Sequence, residues 1–160
     1  MKKAAVLLMI LLLAAIGGIV FLYLTSSVTV RYESCIATDA STQQEYFDQM
    51  KSQLSDNTFV GTLFDHSEPG SSDQYQYLTY TVTVVNNAFL DASTAEIRIT
   101  PMKGDILQIG DTEEHLLPAQ QTSSLSATVL TAKGVQNIRE ATVTWYIWGL
   151  PFSEKITLGR

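Results

Sequence analysis

The chain is poor in the residues that build most metal, redox and catalytic sites. Its 160 residues include one cysteine, Cys35, and two histidines, His66 and His115. A single cysteine excludes a disulfide within the chain, so a folded domain must depend on apolar burial and backbone hydrogen bonds. The sequence also lacks G-x-S-x-G, H-E-x-x-H and a glycine-rich phosphate loop. We therefore expect no enzymatic activity and no cofactor.

Basic residues are also few. Ten Lys and Arg residues stand against 16 acids, which gives a formal net charge of -6. Lys2 and Lys3 precede a hydrophobic run, so residues 25–160 carry eight bases against 16 acids, a net charge of -8. The eight bases are scattered along the sequence, and a surface so acidic would repel a phosphate backbone. We expect no nucleic-acid partner.

Charge is absent from residues 4–24, a run of 21 mostly apolar residues. At about 1.5 Å per residue, a helix of this length matches the roughly 30 Å hydrocarbon core of a bilayer. A cleaved signal peptide usually has a shorter apolar region, about 7 to 15 residues, followed by an A-x-A-like site. Thr25 and Ser27 make a poor cleavage site. The run favours a retained transmembrane anchor, with a cleaved signal as the alternative.

The flanking charges predict the orientation of this anchor. Lys2 and Lys3 lie on its N-terminal side, and the first base on the other side is Arg31. The positive-inside rule then places residues 1–3 in the cytoplasm and residues 26–160 outside, as one extracytoplasmic domain of a single-pass cell-membrane protein. Ala14 and Gly18 have the small-xxx-small spacing that lets two spanning helices approach, so they form a candidate helix-pairing face.

Alternating apolar residues predict that the domain is built mainly from β-strands. Residues 75–85 and 141–148 show the clearest period of two, which is typical of strands with one buried face. Seven or eight such short strands are separated by turn signals. This pattern favours an all-β fold with one helix, an antiparallel immunoglobulin-like β-sandwich. The residues predicted to face its core from these two strands are Leu78, Tyr80, Val82, Val84, Val143, Trp145 and Ile147.

One amphipathic helix is predicted near residues 42–55. Phe47, Met50 and Leu54 recur at helical spacing. Ser41 with Gln44 three residues later is a capping-box pattern, which is typical of a helix start. We expect the apolar face of this helix to pack on the sheet.

Residues 80–131 resemble the bacterial immunoglobulin-like sandwich modules of the cell-adhesion-related (CARDB-like) kind. The likeness rests on the strand at residues 80–85 closing on Asn86-Asn87, on residues 95–99, and on residues 117–121 ahead of the strand at 126–129. Such modules usually have glycine in the loop position that Gln120 occupies here. The resemblance implies a structural or binding module and assigns no catalytic residue.

Aromatic residues suggest where a partner would bind. Tyr75, Tyr77, Tyr146 and Trp148 have the parity opposite to the predicted core residues of their strands. Exposed aromatics on a sheet can mark a binding surface, because they give a large contact area at small entropy cost. Two other arrangements stay open: Trp148 packs under Pro151, or the helix near residues 42–55 covers this face.

Two acidic loops contain candidate metal ligands. Asp65, His66 and Glu68 lie within four residues, but zinc sites usually draw ligands from more than one segment. The second loop lacks the D-x-[DN]-x-[DN]-G spacing of calcium loops; its candidate ligands are Asp111, Glu113, Glu114 and His115. We expect both loops to be solvated and to hold no metal.

The residues before Cys35 are Tyr32, Glu33 and Ser34, which do not form a lipid-attachment box. We expect Cys35 to be a half-buried strand residue, with lipid attachment and an intermolecular disulfide as alternatives.

The sequence as a whole predicts a membrane-anchored extracytoplasmic interaction or structural module, whose partners are the bilayer and a protein. The alternative is an accessory subunit of a membrane transport or secretion assembly, contacting its partner through the spanning helix.

Overall fold

The computed structural model describes residues 2–25, 27–110 and 115–159. An N-terminal helix, α1, spans Lys2–Thr25, and a second helix, α2, spans Gln44–Ser55. The other elements are strands, apart from two short 3-10 turns at Ala40–Gln43 and Ser72–Gln74. The strands are β1 Val28–Asp39, β2 Thr62–Leu63, β3 Tyr75–Asn86, β4 Ala92–Ile99, β5 Asp105–Ile109, β6 His115–Leu117, β7 Thr122–Ala132, β8 Arg139–Ile147 and β9 Leu150–Leu158.

The strands form two antiparallel sheets that pack face to face. The five-stranded sheet has the order β1-β3-β7-β5-β2, and the four-stranded sheet has the order β6-β4-β8-β9. Their inner faces share one apolar core, to which β3 contributes Leu78, Tyr80, Val82 and Val84 and β8 contributes Val143, Trp145 and Ile147. The predicted core parity of these two strands is confirmed. The prediction of an antiparallel β-sandwich preceded by an apolar N-terminal helix is confirmed as well.

Helix α1 packs against little of the sandwich. Its segment Lys3–Thr25 has a mean hydropathy of 3.0 and is long and apolar enough to cross a membrane. None of the most apolar stretch of this segment is buried within the protein. Only residues 26 and 27 separate α1 from β1, and the Asn87 N–H donates to the Ser27 carbonyl at 2.9 Å. The helix therefore leads almost directly into the five-stranded sheet.

Strand β1 contains a bulge that shifts its alternation. Tyr32 pairs with Val82, and Ser34 pairs with the adjacent Thr81, so Glu33 is the extra residue. Tyr32 and Cys35 consequently both pack against the core, although they are three positions apart. Before the bulge the even-numbered residues of β1 face the core, and after it the odd-numbered Cys35 does so.

Helix α2 covers the outer face of the five-stranded sheet and closes a second apolar cluster. Phe47 and Met50 are buried in this cluster with Tyr77, Leu107 and Leu130. The predicted capping box is not formed. Residues 40–43 make a 3-10 turn, and Gln43 precedes α2 without a side-chain cap. The hydroxyl of Thr42 donates to the Asp39 carbonyl at 2.7 Å and begins this turn.

Polar side chains also join the two sheets. Asp105 of β5 and Arg139 of β8 form a bidentate ion pair, with Nε donating to Oδ2 at 2.9 Å and Nη2 to Oδ1 at 2.7 Å. Both side chains are fully buried. The Gln108 side chain donates to the Ile97 carbonyl at 2.7 Å and accepts from the Ile99 N–H at 2.8 Å, so its amide pairs with β4 as a neighbouring strand would.

Candidate functional site

The four aromatics predicted to form one exposed surface lie on different sheets. Tyr75 and Tyr77 belong to β3, on the outer face of the five-stranded sheet, whereas Tyr146 belongs to β8 of the four-stranded sheet and Trp148 follows it. Tyr77 is 3% exposed, and its ring lies 5.6 Å from that of Tyr46 in α2. Tyr77 is therefore not exposed, and the alternative in which the helix near residues 42–55 covers this face is the one that the structure has.

Tyr75 is half-buried by the same helix. Its ring stacks on Phe47 of α2 at a centroid distance of 5.9 Å, and its hydroxyl accepts the Gly70 N–H at 3.2 Å. Tyr75 thus supports α2 and the loop before β3, and the proposed aromatic surface does not include it. Of the original four residues, only Tyr146 and Trp148 remain beside each other.

Trp148 lies in a two-residue turn and not in the strand. Ile147 pairs with Leu150, so Trp148 and Gly149 connect β8 to β9, and the strand predicted at residues 141–148 ends one residue earlier, at Ile147. Both turn residues have positive φ, 53° for Trp148 and 74° for Gly149, as a type I′ turn requires. This turn favours Asn at its first position, and a side chain such as Trp there costs on the order of 1–3 kcal/mol. Trp148 does not pack under Pro151, since it is 60% exposed.

The β8–β9 hairpin lies beside the C-terminal turns of α1. The Tyr23 ring is 5.5 Å from that of Phe152, which in turn stacks on Trp145 at 6.3 Å. An apolar pocket opens between helix and hairpin; it is lined by Ile19, Tyr23, Leu90, Ile147, Trp148, Leu150 and Phe152. Aromatic contacts therefore connect the end of α1 to the core of the sandwich.

Two loops lie at the same end as this hairpin. Asn86, the last residue of β3, pairs with Val28 at the start of β1, so loop 87–91 lies where α1 enters the domain. Loop 118–121 precedes β7, whose first residue, Thr122, pairs with Val85. We name these two loops and the Trp148-Gly149 turn, with the strand residues that flank them, the proximal end; it comprises residues 86–91, 116–122 and 147–152.

Asn86 fixes the two loops of the proximal end together. Its buried side chain donates to the carbonyls of Leu90 and Leu117, both at 2.9 Å, and accepts from the Ala88 N–H at 3.0 Å. Gln120 adds hydrogen bonds from its side chain to the carbonyls of Asn87 and Ala88. Gln120 has a φ of 57°, a left-handed conformation that glycine adopts more easily than other residues.

The surface of the proximal end is apolar. Phe89, Leu116, Trp148 and Leu150 are all exposed. Residues 86–91, 116–122 and 147–152 contain a single charged residue, Asp91, whose carboxylate accepts the Ala119 N–H at 2.7 Å. Sequence reasoning missed Phe89, Leu116 and Leu150. A signal for them was available in the sequence. Asn, Gly and Pro mark these segments as turns, turns are normally polar, and large apolar residues within them therefore indicate an apolar surface.

Asp65, His66 and Glu68 do not form a metal-binding group. The Asp65 carboxylate accepts the Ser67 N–H at 2.9 Å, which lowers the pKa of Asp65, and Glu68 lies 3.8 Å from the Lys51 ammonium. Residues 111–114, which include Asp111, Glu113 and Glu114, lie outside the described residues. Within residues 2–25, 27–110 and 115–159, no group of three His, Cys, Asp or Glu residues could hold a metal ion.

Cys35 lies in β1, partly buried as predicted, and this burial raises the pKa of its thiol above the ordinary value.

The candidate helix-pairing face lies on the surface of α1. Ala14 and Gly18 are both exposed there. Among the described residues, nothing lies within 4 Å of the position that a Cβ at Gly17 or Gly18 would take. The small-residue face of α1 is thus open to a partner helix.

No protein-family model and no curated protein matches this chain. Among solved structures, it is similar to the cupredoxin domain of amoB from Nitrosocaldus yellowstonii, with 12% identity and a TM-score of 0.35. The match covers 85% of this chain and 90% of that domain. So low a TM-score does not establish a shared topology, and the sandwich assignment rests on the sheets themselves.

Proposed function

We propose that the chain is a single-pass membrane protein whose β-sandwich is an interaction or structural module on the outer side of the cell membrane. The observation that carries this proposal is α1, which is apolar over 23 residues and leaves its most apolar stretch uncovered by the sandwich. In water, such a helix would expose a large apolar surface at a high cost in free energy. A bilayer removes that cost.

The charge distribution supports the orientation. Lys2 and Lys3 precede α1, and the net charge of -8 lies in the part of the chain that follows it. The positive-inside rule favours a cytoplasmic N-terminus for this arrangement. The role as a module is supported by the likeness of residues 80–131 to CARDB-like modules and by the absence of a catalytic motif from the sequence. We also propose that the sandwich is of the immunoglobulin-like type.

Extraction and proteolysis test the topology. The full chain should remain with membranes after high-salt and carbonate washing, because α1 is held by the hydrocarbon core. Protease added outside intact cells should digest the sandwich and leave a short membrane-embedded fragment. Recovery of a soluble mature chain beginning near residue 26 would instead identify α1 as a cleaved signal peptide.

The open face of α1 favours a second candidate, an accessory subunit that contacts a membrane partner through Ala14 and Gly18. Small residues let two helices approach closely. Replacing both with Leu should abolish co-purification with that partner if the helix is the contact. Gly17→Leu is the matched control, since adjacent residues point about 100° apart on a helix. Equal retention of the partner by both variants would exclude this candidate.

A further inference from the structure

We propose that the proximal end is a lipid-contacting surface, in which Trp148, Leu150 and Phe89 enter the headgroup region of the bilayer that α1 spans. The sandwich would then be held by two contacts with the membrane, the helix and its own apolar end. This inference rests on the proposed function, because it requires α1 to cross the bilayer beside the hairpin.

The depth of the hairpin follows from the residues of α1 that it faces. Trp148 and Leu150 share a pocket with Tyr23 and with Ile19, which is six residues before the end of α1 at Thr25. Residues 4–24 match the hydrocarbon core in length, so Tyr23 lies at its outer edge and Ile19, four residues earlier, lies about 6 Å deeper. The hairpin tip therefore reaches down beside the membrane end of α1, to the boundary between the headgroups and the hydrocarbon.

The chemistry of the surface fits that layer. Tyr and Trp prefer the boundary between headgroups and hydrocarbon, where the ring is apolar and the polar atom stays wet. Tyr23 and Trp148 provide such rings, and exposed Phe89 and Leu150 add apolar area. Asp91 is the one charged residue of these segments, and its carboxylate already accepts a hydrogen bond from Ala119. The surface therefore brings a single charge toward the interface, and that carboxylate is exposed and already hydrogen-bonded.

Backbone strain points the same way. Trp148 occupies a turn position with a φ of 53°, where asparagine would adopt the conformation more easily. The chain nevertheless places a large exposed aromatic ring there, next to the helix that would cross the membrane. Strained residues persist where the surroundings or the function require them. Contact with lipid supplies such a requirement.

The test uses the full chain in phosphatidylcholine vesicles that carry bromine atoms on the acyl chains near the headgroup, because bromine quenches nearby tryptophan fluorescence. The protein has two tryptophans, so Trp148→Phe leaves only core Trp145. We expect the wild type to lose a clearly larger fraction of its fluorescence than Trp148→Phe when brominated lipid replaces ordinary lipid. Acrylamide added to the buffer should quench Trp148 weakly.

Trp148→Phe with Ile36→Trp is the matched control. Ile36 is exposed on β1, eight residues or about 27 Å beyond Val28, so a tryptophan there should be quenched by acrylamide and not by the lipid. Flotation and circular dichroism confirm insertion and folding of each variant.

If the wild type floats with vesicles but is quenched by brominated lipid no more than Trp148→Phe, the lipid surface is wrong and the anchor stands. Protection of Trp148 from both quenchers would indicate a protein occupant and would also overturn the inference. A chain that does not float overturns the inference and the proposed function together.

Discussion

At the scale of single residues, the fold depends on a polar contact in its interior. The ion pair of Asp105 and Arg139 joins β5 to β8 and is fully buried. The Arg139 guanidinium also donates to the carbonyls of Gln136 and Ile138, and Asp105 accepts the Met102 N–H at 2.8 Å. These bonds satisfy both charges, so removing one partner leaves the other charged and unpaired in the core.

We predict that Asp105→Ala lowers the free energy of unfolding by about 3–5 kcal/mol, the usual cost of breaking a buried ion pair. The double variant Asp105→Leu with Arg139→Met should recover much of this loss, because no buried charge remains. Urea unfolding of the chain in detergent measures both. Glu140→Ala, at an exposed neighbouring position, is the control and should change little. A small loss for Asp105→Ala would show that the pair is hydrated.

Two buried tyrosines of β3 offer a matched comparison. The Tyr80 hydroxyl donates to the Asn137 carbonyl at 2.7 Å, whereas the buried Tyr77 hydroxyl has no hydrogen-bond partner among the described residues. Tyr80→Phe should therefore cost about 1 kcal/mol, and Tyr77→Phe should be neutral or slightly stabilising. Thermal unfolding followed by circular dichroism distinguishes the two. Equal losses for both variants would contradict the structure around Tyr77.

At the scale of elements, the β8–β9 hairpin combines a favourable turn with an unfavourable residue. Trp148 adopts a left-handed conformation that Asn adopts at lower cost, while Gly149 adopts it freely. The hairpin also connects the core to α1, because Phe152 lies between Trp145 and Tyr23. Its turn therefore affects both the stability of the sandwich and its contact with the helix.

We predict that Trp148→Asn leaves the stability of the detergent-solubilised chain unchanged or raises it by up to about 1 kcal/mol, since it relieves backbone strain. Gly149→Ala should instead cost roughly 1–2 kcal/mol, because its φ is positive and no neighbouring atom confounds the change. Urea unfolding midpoints measure both effects. A loss for Trp148→Asn as large as that for Gly149→Ala would mean that Trp148 packing outweighs its strain.

The sequence predicted those elements whose signal is local. The period of two in β3 and β8 identified Leu78, Tyr80, Val143 and Trp145 as core residues, because a long strand with one buried face repeats that pattern. It could not predict the bulge at Glu33, which depends on how β1 pairs with β3. A local pattern predicts which residues of a strand share a face. It does not predict which strand pairs with that strand or in which register.

The candidate site was predicted less well for the same reason. Parity placed Tyr77 on the side of β3 opposite to Val82, which is correct, but α2 packs there and buries it. The pairing of Asp105 with Arg139 spans 34 residues and has no local signature. The apolar pocket between α1 and the hairpin combines segments near residues 20, 90 and 150, so only the folded chain brings its apolar residues together.

At the scale of the whole molecule, the two apolar cores of the sandwich are built without α1. Among the side chains that the structure describes, both apolar clusters consist of residues from β1 onward, and none of them belongs to α1. The chain from residue 27 onward, made without α1, should therefore fold into a soluble monomer with mainly β circular dichroism. EDTA should leave its melting temperature unchanged. Aggregation that persists after Phe89 and Trp148 are both replaced by Ser would contradict this prediction.

The short connection between α1 and β1 has a consequence for reach. The Ser27 carbonyl accepts a hydrogen bond from the Asn87 N–H, so the chain is already held to the sandwich two residues after α1 ends. The connection is therefore too short to act as a flexible linker. Strand β3 has 12 residues, which at about 3.4 Å each correspond to roughly 40 Å. In the proposed topology, the loops at the far end therefore stand at most about 40 Å above the proximal end. A partner that is anchored in the same membrane and binds those loops must extend to that height.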